Sequence, residues 1–120
     1  MITVGHFING QMTNEGERTQ DVYNPSTGEV SKQVALASKT TVEQAISAAQ
    51  AAFPAWRNTP PIRRARAMFK FKDLLEKNAE NIIALIGEEH GKITHDTAGE
   101  LQRGTEMLHY TLSEPTLIND

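Results

Sequence analysis

The residue types that most often carry chemistry are thinly spread in this 120-residue chain. Cysteine is absent. That excludes a thiolate nucleophile, a disulfide framework, Cys-ligated zinc and an iron–sulfur cluster within the chain. Of the four histidines, His90 and His95 stand across Gly91 and share no helical face. His109 has Glu106 at i−3 but no His or carboxylate at i±4. A metal centre needs convergent ligands, so no metal is expected. Glu88 and Glu89 are adjacent, and neighbouring helical positions point about 100° apart, which argues against a paired acid/base role. None of the glycines forms G-x-G-x-x-G or G-x4-G-K-[S/T], and no serine stands in G-x-S-x-G.

Two clusters of charge remain. Arg63, Arg66, Lys70 and Lys77 form a basic stripe at helical spacing. A phosphate could sit there, but Asp73 falls at i+3 from Lys70 and i−4 from Lys77, the pattern of a solvated face with mild ion pairing. The segment Gly99-Glu100-Leu101-Gln102-Arg103-Gly104 is more informative. Two glycines inside a helix cost roughly 1 kcal/mol each relative to alanine, and close approach by a ligand or another backbone would explain them. Arg103 falls on a face with Glu100, Met107 and Tyr110. It can act as a bidentate clamp for an anion, or pair with Glu100 as a surface arginine.

The elements that must position these residues divide into a β segment, 1–39, and a helical segment, 40–114. Short strands and a hairpin are expected over about 3–36. Asn9-Gly10 suits a type I′ hairpin turn because both residues tolerate positive φ. Pro25 and Gly28 suit a second turn, and Pro25 also blocks Asn24 as a glycosylation acceptor. Val30, Val34 and Leu36 alternate with polar neighbours as in a half-buried strand.

About four helices follow over about 40–114. Thr40 or Thr41 can cap the first, in which Val42, Ala45, Ile46, Ala49 and Phe53 recur at helical spacing, with Pro54 and Trp56 at its end. Pro60-Pro61 opens the second, with Pro61 near the first helical position. Its apolar residues cover more than half its circumference. Asn78 breaks it. A short third helix ends at Gly91, a plausible C′ residue. Thr94 can cap the fourth, where Ala98, Leu101, Thr105, Leu108 and Leu112 fall within about 60° of one another, and Pro115 stops it.

Net charge is −3 and the sequence pI about 5.8, with no basic excess for nucleic-acid binding. No apolar run is long enough to span a membrane. No positive n-region precedes an apolar h-region, so no signal peptide is expected. The strand candidates at the front have no later strand to pair with, and the second helix carries more apolar surface than its neighbours can cover. Both suggest an incomplete fold.

Phe7-Ile8-Asn9-Gly10, Tyr23 to Val30 and Ala48 to Trp56 resemble the N-terminus of an aldehyde dehydrogenase. Thr59 to Phe71, Glu89-His90-Gly91-Lys92 and Gly99 to Gly104 are similar to the CoA-acylating methylmalonate-semialdehyde dehydrogenases, and the likeness runs over essentially the whole chain. It implies an α/β family fold with a Rossmann-type NAD domain, of which this chain would be the N-terminal part. The catalytic and oligomerisation parts, the nucleophilic cysteine and the NAD-binding strand–loop–helix would lie beyond Asp120. The family reaction converts methylmalonate or malonate semialdehyde, with CoA and NAD⁺, to propionyl- or acetyl-CoA, CO₂ and NADH, in valine and inositol catabolism. With no signal peptide evident and no cysteine, a cytoplasmic, bacterial-type protein is expected. The resemblance also implies that this chain alone is inactive, has no catalytic residue and binds no cofactor. Arg103 matches the subfamily's arginine that faces the substrate carboxylate. Thr111-Leu112-Ser113-Glu114 departs from the small residues and glycine that the subfamily favours before Pro115. The expected partner is the missing remainder of the enzyme, or a second copy through exposed apolar surface. The competing expectation is a non-enzymatic helical module that docks on another polypeptide.

Overall fold

The computed structural model describes residues 1–14 and 18–112. The chain divides into two compact units, Met1–Arg57 and Asn58–Asp120. The expected helix stop at Pro115 and the departure at Ser113-Glu114 lie outside the described residues.

In the first unit, β1 (Thr3–Val4), β5 (Val30–Leu36) and β4 (Arg18–Tyr23) form one sheet in that order. β1 runs parallel to β5, with Thr3 opposite Gln33, and β4 runs antiparallel to it. The front strands therefore pair among themselves rather than with any later strand of the described residues. β5 serves both neighbours. β2 (His6–Ile8) and β3 (Gln11–Thr13) form a separate antiparallel hairpin. Its turn is Asn9-Gly10, with φ of 51° and 75°, the double positive φ that the type I′ turn demands.

The turn between β4 and β5 is closed by side chain and backbone together. Asn24 Oδ1 accepts the Ser26 N–H at 2.9 Å, and the Asn24 carbonyl accepts the Gly28 N–H at 2.8 Å. Gly28 leaves it at φ 76°. Val30, Val34 and Leu36 are half-buried, as the alternation predicts. The deepest positions of β5 are Lys32 and Ala35, at 8% and 5% exposure. They point to opposite faces, and the Lys32 stem supplies apolar cover.

Gly5 joins β1 to the hairpin. A Cβ there would collide with the Thr13 carbonyl and the Asn14 side chain. The carbonyl belongs to the backbone and cannot swing aside. Gly5→Ala is expected to cost about 1–3 kcal/mol by forcing the hairpin away, read as a lower urea midpoint at unchanged slope.

α1 runs from Lys39 to Asn58. Its cap is Ser38, not Thr40 or Thr41. Ser38 Oγ accepts the Thr41 N–H at 3.1 Å, and the Ser38 carbonyl accepts the Val42 N–H. Thr40 and Thr41 are already helical. The helix also continues through Pro54. Proline removes one donor to the carbonyl four residues back, and in this exposed stretch water can take that place. Ala45, Ala48, Ala49 and Ala52 line a hollow of about 330 Å³ with Phe7, Ile8 and Asn9 of the hairpin. The larger members of the stripe stay exposed: Val42 at 47%, Ile46 at 61% and Phe53 at 56%. The Arg57 guanidinium lies 5.6 Å over the Phe53 ring.

The described residues of the second unit form three helices: α2 (Pro61–Lys77), α3 (Ala79–His90) and α4 (Thr94–Leu112). Pro61 opens α2 behind an N-cap Pro60. Asn78 separates α2 from α3, and its Nδ2 donates to the Leu74 carbonyl at 2.8 Å. Gly91 ends α3 at φ 67°, its N–H bonded to the Gly87 carbonyl. Thr94 is the first residue of α4 rather than its cap. The carbonyl of Ile93 receives both the N–H and the hydroxyl of Thr97, each at 3.1 Å.

The core of this unit matches the expected α4 stripe. Ala98, Leu101, Thr105 and Leu108 are half-buried, and Leu112 and Ala65 are buried. Thr97 is fully buried, and hydropathy gave no sign of it. Its hydroxyl is satisfied locally, which removes the desolvation cost. Phe69 meets His109 edge-to-face at 6.2 Å. Ile62, Phe71 and Leu74 of α2 remain exposed at 61%, 47% and 49%.

Candidate functional site

Arg103 lies on α4, on the side of the helix away from the Leu101–Leu108 stripe, and is exposed. Its Nε donates to the Gly99 carbonyl, one turn back, at 3.4 Å. Met107 and Tyr110 on the same face are 64% and 68% exposed. Among the described residues no carboxylate forms an ion pair with Arg103. The guanidinium thus has one nitrogen tied to its own helix and two left to meet an anion, the fork that a carboxylate fits.

Glu100 is the obvious competitor for that fork, three residues earlier on the helix. It is committed elsewhere. Lys92, in the connection between α3 and α4, places its Nζ 2.9 Å from Glu100 Oε2, both side chains 42% exposed. The Lys92 hydrogen bond and charge hold the Glu100 carboxyl below its ordinary value, with smaller help from His90 and Arg103. A carboxylate with a depressed folded pKa stabilises the fold above its unfolded pKa and loses that contribution as pH falls through the folded value. The difference in urea midpoint between wild type and Glu100→Gln is therefore expected at neutral pH and should vanish in acid below the carboxylate range.

In the sequence Lys92 stands out only as part of the Glu89–Lys92 motif. Its partner is eight residues away, across a helix break, so no helical spacing links them.

The other candidates resolve simply. Arg63, Arg66, Lys70, Asp73 and Lys77 are all exposed. Among the described residues the ion pair of α2 is Lys72–Glu76 at 2.8 Å, not one through Asp73. Among the described residues, no three His, Asp or Glu side chains converge as metal ligands. No helix there is long and apolar enough to cross a membrane. The expected close approach at the α4 glycines is not made among the described residues: a Cβ at Gly99 or Gly104 would meet nothing there within 4 Å. Neither has positive φ. Gly104→Ala is accordingly expected to stabilise the chain by about 0.4–1 kcal/mol, seen as a raised thermal midpoint. Beside Gly104, a hollow of about 410 Å³ is lined by Phe71, Leu75, Ile86 and Leu108.

A short front sheet, a helical unit and an arginine presented on the last described helix together define a segment of a known enzyme fold. The aldehyde dehydrogenase family model matches residues 12–120, and the chain belongs to that family. Malonate-semialdehyde dehydrogenase of Pseudomonas aeruginosa is 52% identical over 98% of this chain and 24% of its own length. The crystal structure of methylmalonate-semialdehyde dehydrogenase from Oceanimonas doudoroffii superposes with a TM-score of 0.95 at 62% identity, over 99% of this chain and 24% of that one. A protein from Sinorhizobium meliloti, named for the same activity and solved with NAD, gives 0.93 at 38% identity over 99% of this chain and 25% of its own. The chain corresponds to the N-terminal part of these proteins and spans about a quarter of their length.

Proposed function

We propose that this chain acts as the leading quarter of a CoA-acylating methylmalonate- or malonate-semialdehyde dehydrogenase, in which Arg103 holds the substrate carboxylate. The observation that carries the reading is the 62% identity maintained at a TM-score of 0.95 to the Oceanimonas enzyme. Substrate chemistry supports it. A semialdehyde acid keeps its carboxylate charged at neutral pH and needs a cation that fixes its orientation, for which a bidentate arginine is suited.

The whole reaction joins semialdehyde, CoA and NAD⁺ to give acyl-CoA, CO₂ and NADH. This chain's part in it is binding and orientation. The acyl-carrying nucleophile cannot come from it, because it has no cysteine. Nor does its β5–α1 junction suit a dinucleotide. The strand–helix junction between β5 and α1 is Ala37-Ser38, closed by the Ser38 side chain on the Thr41 N–H. It has no glycine to let a pyrophosphate approach the backbone. On this reading the NAD site is assigned to other parts of the enzyme.

The test is co-expression with a polypeptide carrying the remaining three-quarters of the Pseudomonas relative. A purified complex that forms NADH from malonate semialdehyde only when CoA is present supports the reading. A second polypeptide that folds but neither binds this chain nor gains activity from it sinks the proposal. Exposed apolar residues on α1 and α2 favour one other reading, a non-catalytic helical module docking on a different protein or on a second copy. That reading gains if the chain self-associates and ignores the enzyme remainder.

A further inference from the structure

Glu100 and Arg103 stand three residues apart on one helix, a spacing that lets opposite charges meet. Had they paired, the guanidinium would already be neutralised. Instead, Glu100 is drawn sideways to Lys92 at 2.9 Å. Gly91, in the left-handed region at φ 67°, ends α3 immediately before Lys92, so the turn that separates the helices also delivers the cation. Among the described residues Arg103 is left with its own Gly99 carbonyl.

From this geometry we infer that Lys92 is a positioning residue for Arg103: by holding the Glu100 carboxylate across the α3–α4 turn, it keeps the Arg103 guanidinium open to a substrate carboxylate. The role of Lys92 is indirect. It does not touch the anion; it removes an internal competitor. The purpose assigned to the open guanidinium rests on the proposed function of Arg103, whereas the competition between Lys92 and Arg103 for Glu100 does not.

The two parts separate experimentally in the isotopically labelled 120-residue chain. The Glu100 carboxyl is titrated by NMR in wild type, Arg103→Ala, Lys92→Met and the Lys92→Met/Arg103→Ala double variant. In wild type its midpoint lies below the ordinary carboxylate value, and Arg103→Ala is expected to leave it almost unmoved. In the Lys92→Met background Arg103→Ala is expected to raise it clearly, because Glu100 then leans on Arg103. Equal responses to Arg103→Ala in both backgrounds, whether large or absent, would overturn the inference. Circular dichroism keeps any misfolded variant out of the comparison.

The second arm follows the Arg103 Nε–H signal during addition of malonate. Lys92→Met is expected to weaken binding about twofold, the scale of an exposed ion pair, and Lys92→Met/Glu100→Gln should restore it. Unchanged binding in Lys92→Met counts against the inference. If wild type shows no malonate response while the Glu100 titrations behave as expected, the carboxylate role of Arg103 fails and the Lys92–Glu100 assignment stands.

Discussion

Purified chain supplied with methylmalonate semialdehyde, CoA and NAD⁺ is expected to form no NADH above a protein-free blank. The reason is compositional before it is structural. Acyl transfer to CoA through a covalent enzyme intermediate needs a nucleophile, and the chain lacks cysteine altogether. The βα junction it does possess is side-chain-capped, with no glycine-rich loop for a dinucleotide. Steady NADH production from the chain alone, dependent on CoA, would refute this. In a reconstituted complex, Arg103→Ala is expected to lower kcat/KM by about ten- to a hundredfold, since a hydrogen-bonded charge contact is worth about 1.5–3 kcal/mol. Arg103→Lys keeps the charge and loses the fork, so it should recover only part of the loss. An Arg103→Ala complex with unchanged kcat/KM would remove Arg103 from substrate binding.

The second large effect concerns stability. Leu112, 7% exposed, is one of three apolar residues buried among those described, with Ala35 and Ala65. Leu112→Ala is expected to cost about 2–5 kcal/mol. Small domains hold only about 5–15 kcal/mol in all, so this variant should unfold the helical unit at much lower urea. The control is Ile46→Ala. Ile46 carries a side chain of the same size but is 61% exposed, and surface changes usually stay within about 0.5 kcal/mol. Circular dichroism at matched urea concentrations reads both. Similar losses at the two positions would mean that Ile46 is covered in solution, as self-association through the α1 face would do.

That contrast marks how far the sequence is legible. Ile46 and Leu101 both sit on regular apolar stripes, and periodicity treats them alike. Leu101 is half-buried, because α4 packs on α2 and α3, while Ile46 and other large members of the α1 stripe stay exposed. A stripe says which face of a helix seeks cover. It carries no information on whether cover is within reach of the same chain. The exposed apolar residues of α1 and α2 are faces that the described residues leave uncovered.

Local chemistry was readable wherever one or two residues dictate the backbone. Asn9-Gly10, Gly28 and Gly91 take the positive φ expected of them, because few other residues do so at low cost. The Ser38 cap was misplaced by two or three residues, since several neighbouring hydroxyls suit a cap and only the actual strand end selects among them. The run through Pro54 was missed for a related reason. A lost hydrogen bond is tolerable at an exposed turn, and exposure is not written in the residue itself.

The sequence by itself determined the chemistry that is absent, the turn positions, the α4 core stripe and the candidacy of Arg103, because these follow from residue type and short-range spacing. Tertiary structure alone decided that β5 lies between β1 and β4, that Thr97 is fully buried, and that Glu100 turns to Lys92 rather than to Arg103. Each of these depends on where a turn brings two separated stretches together. An electrostatic choice between partners at similar reach is made by that geometry, not by the spacing along one helix.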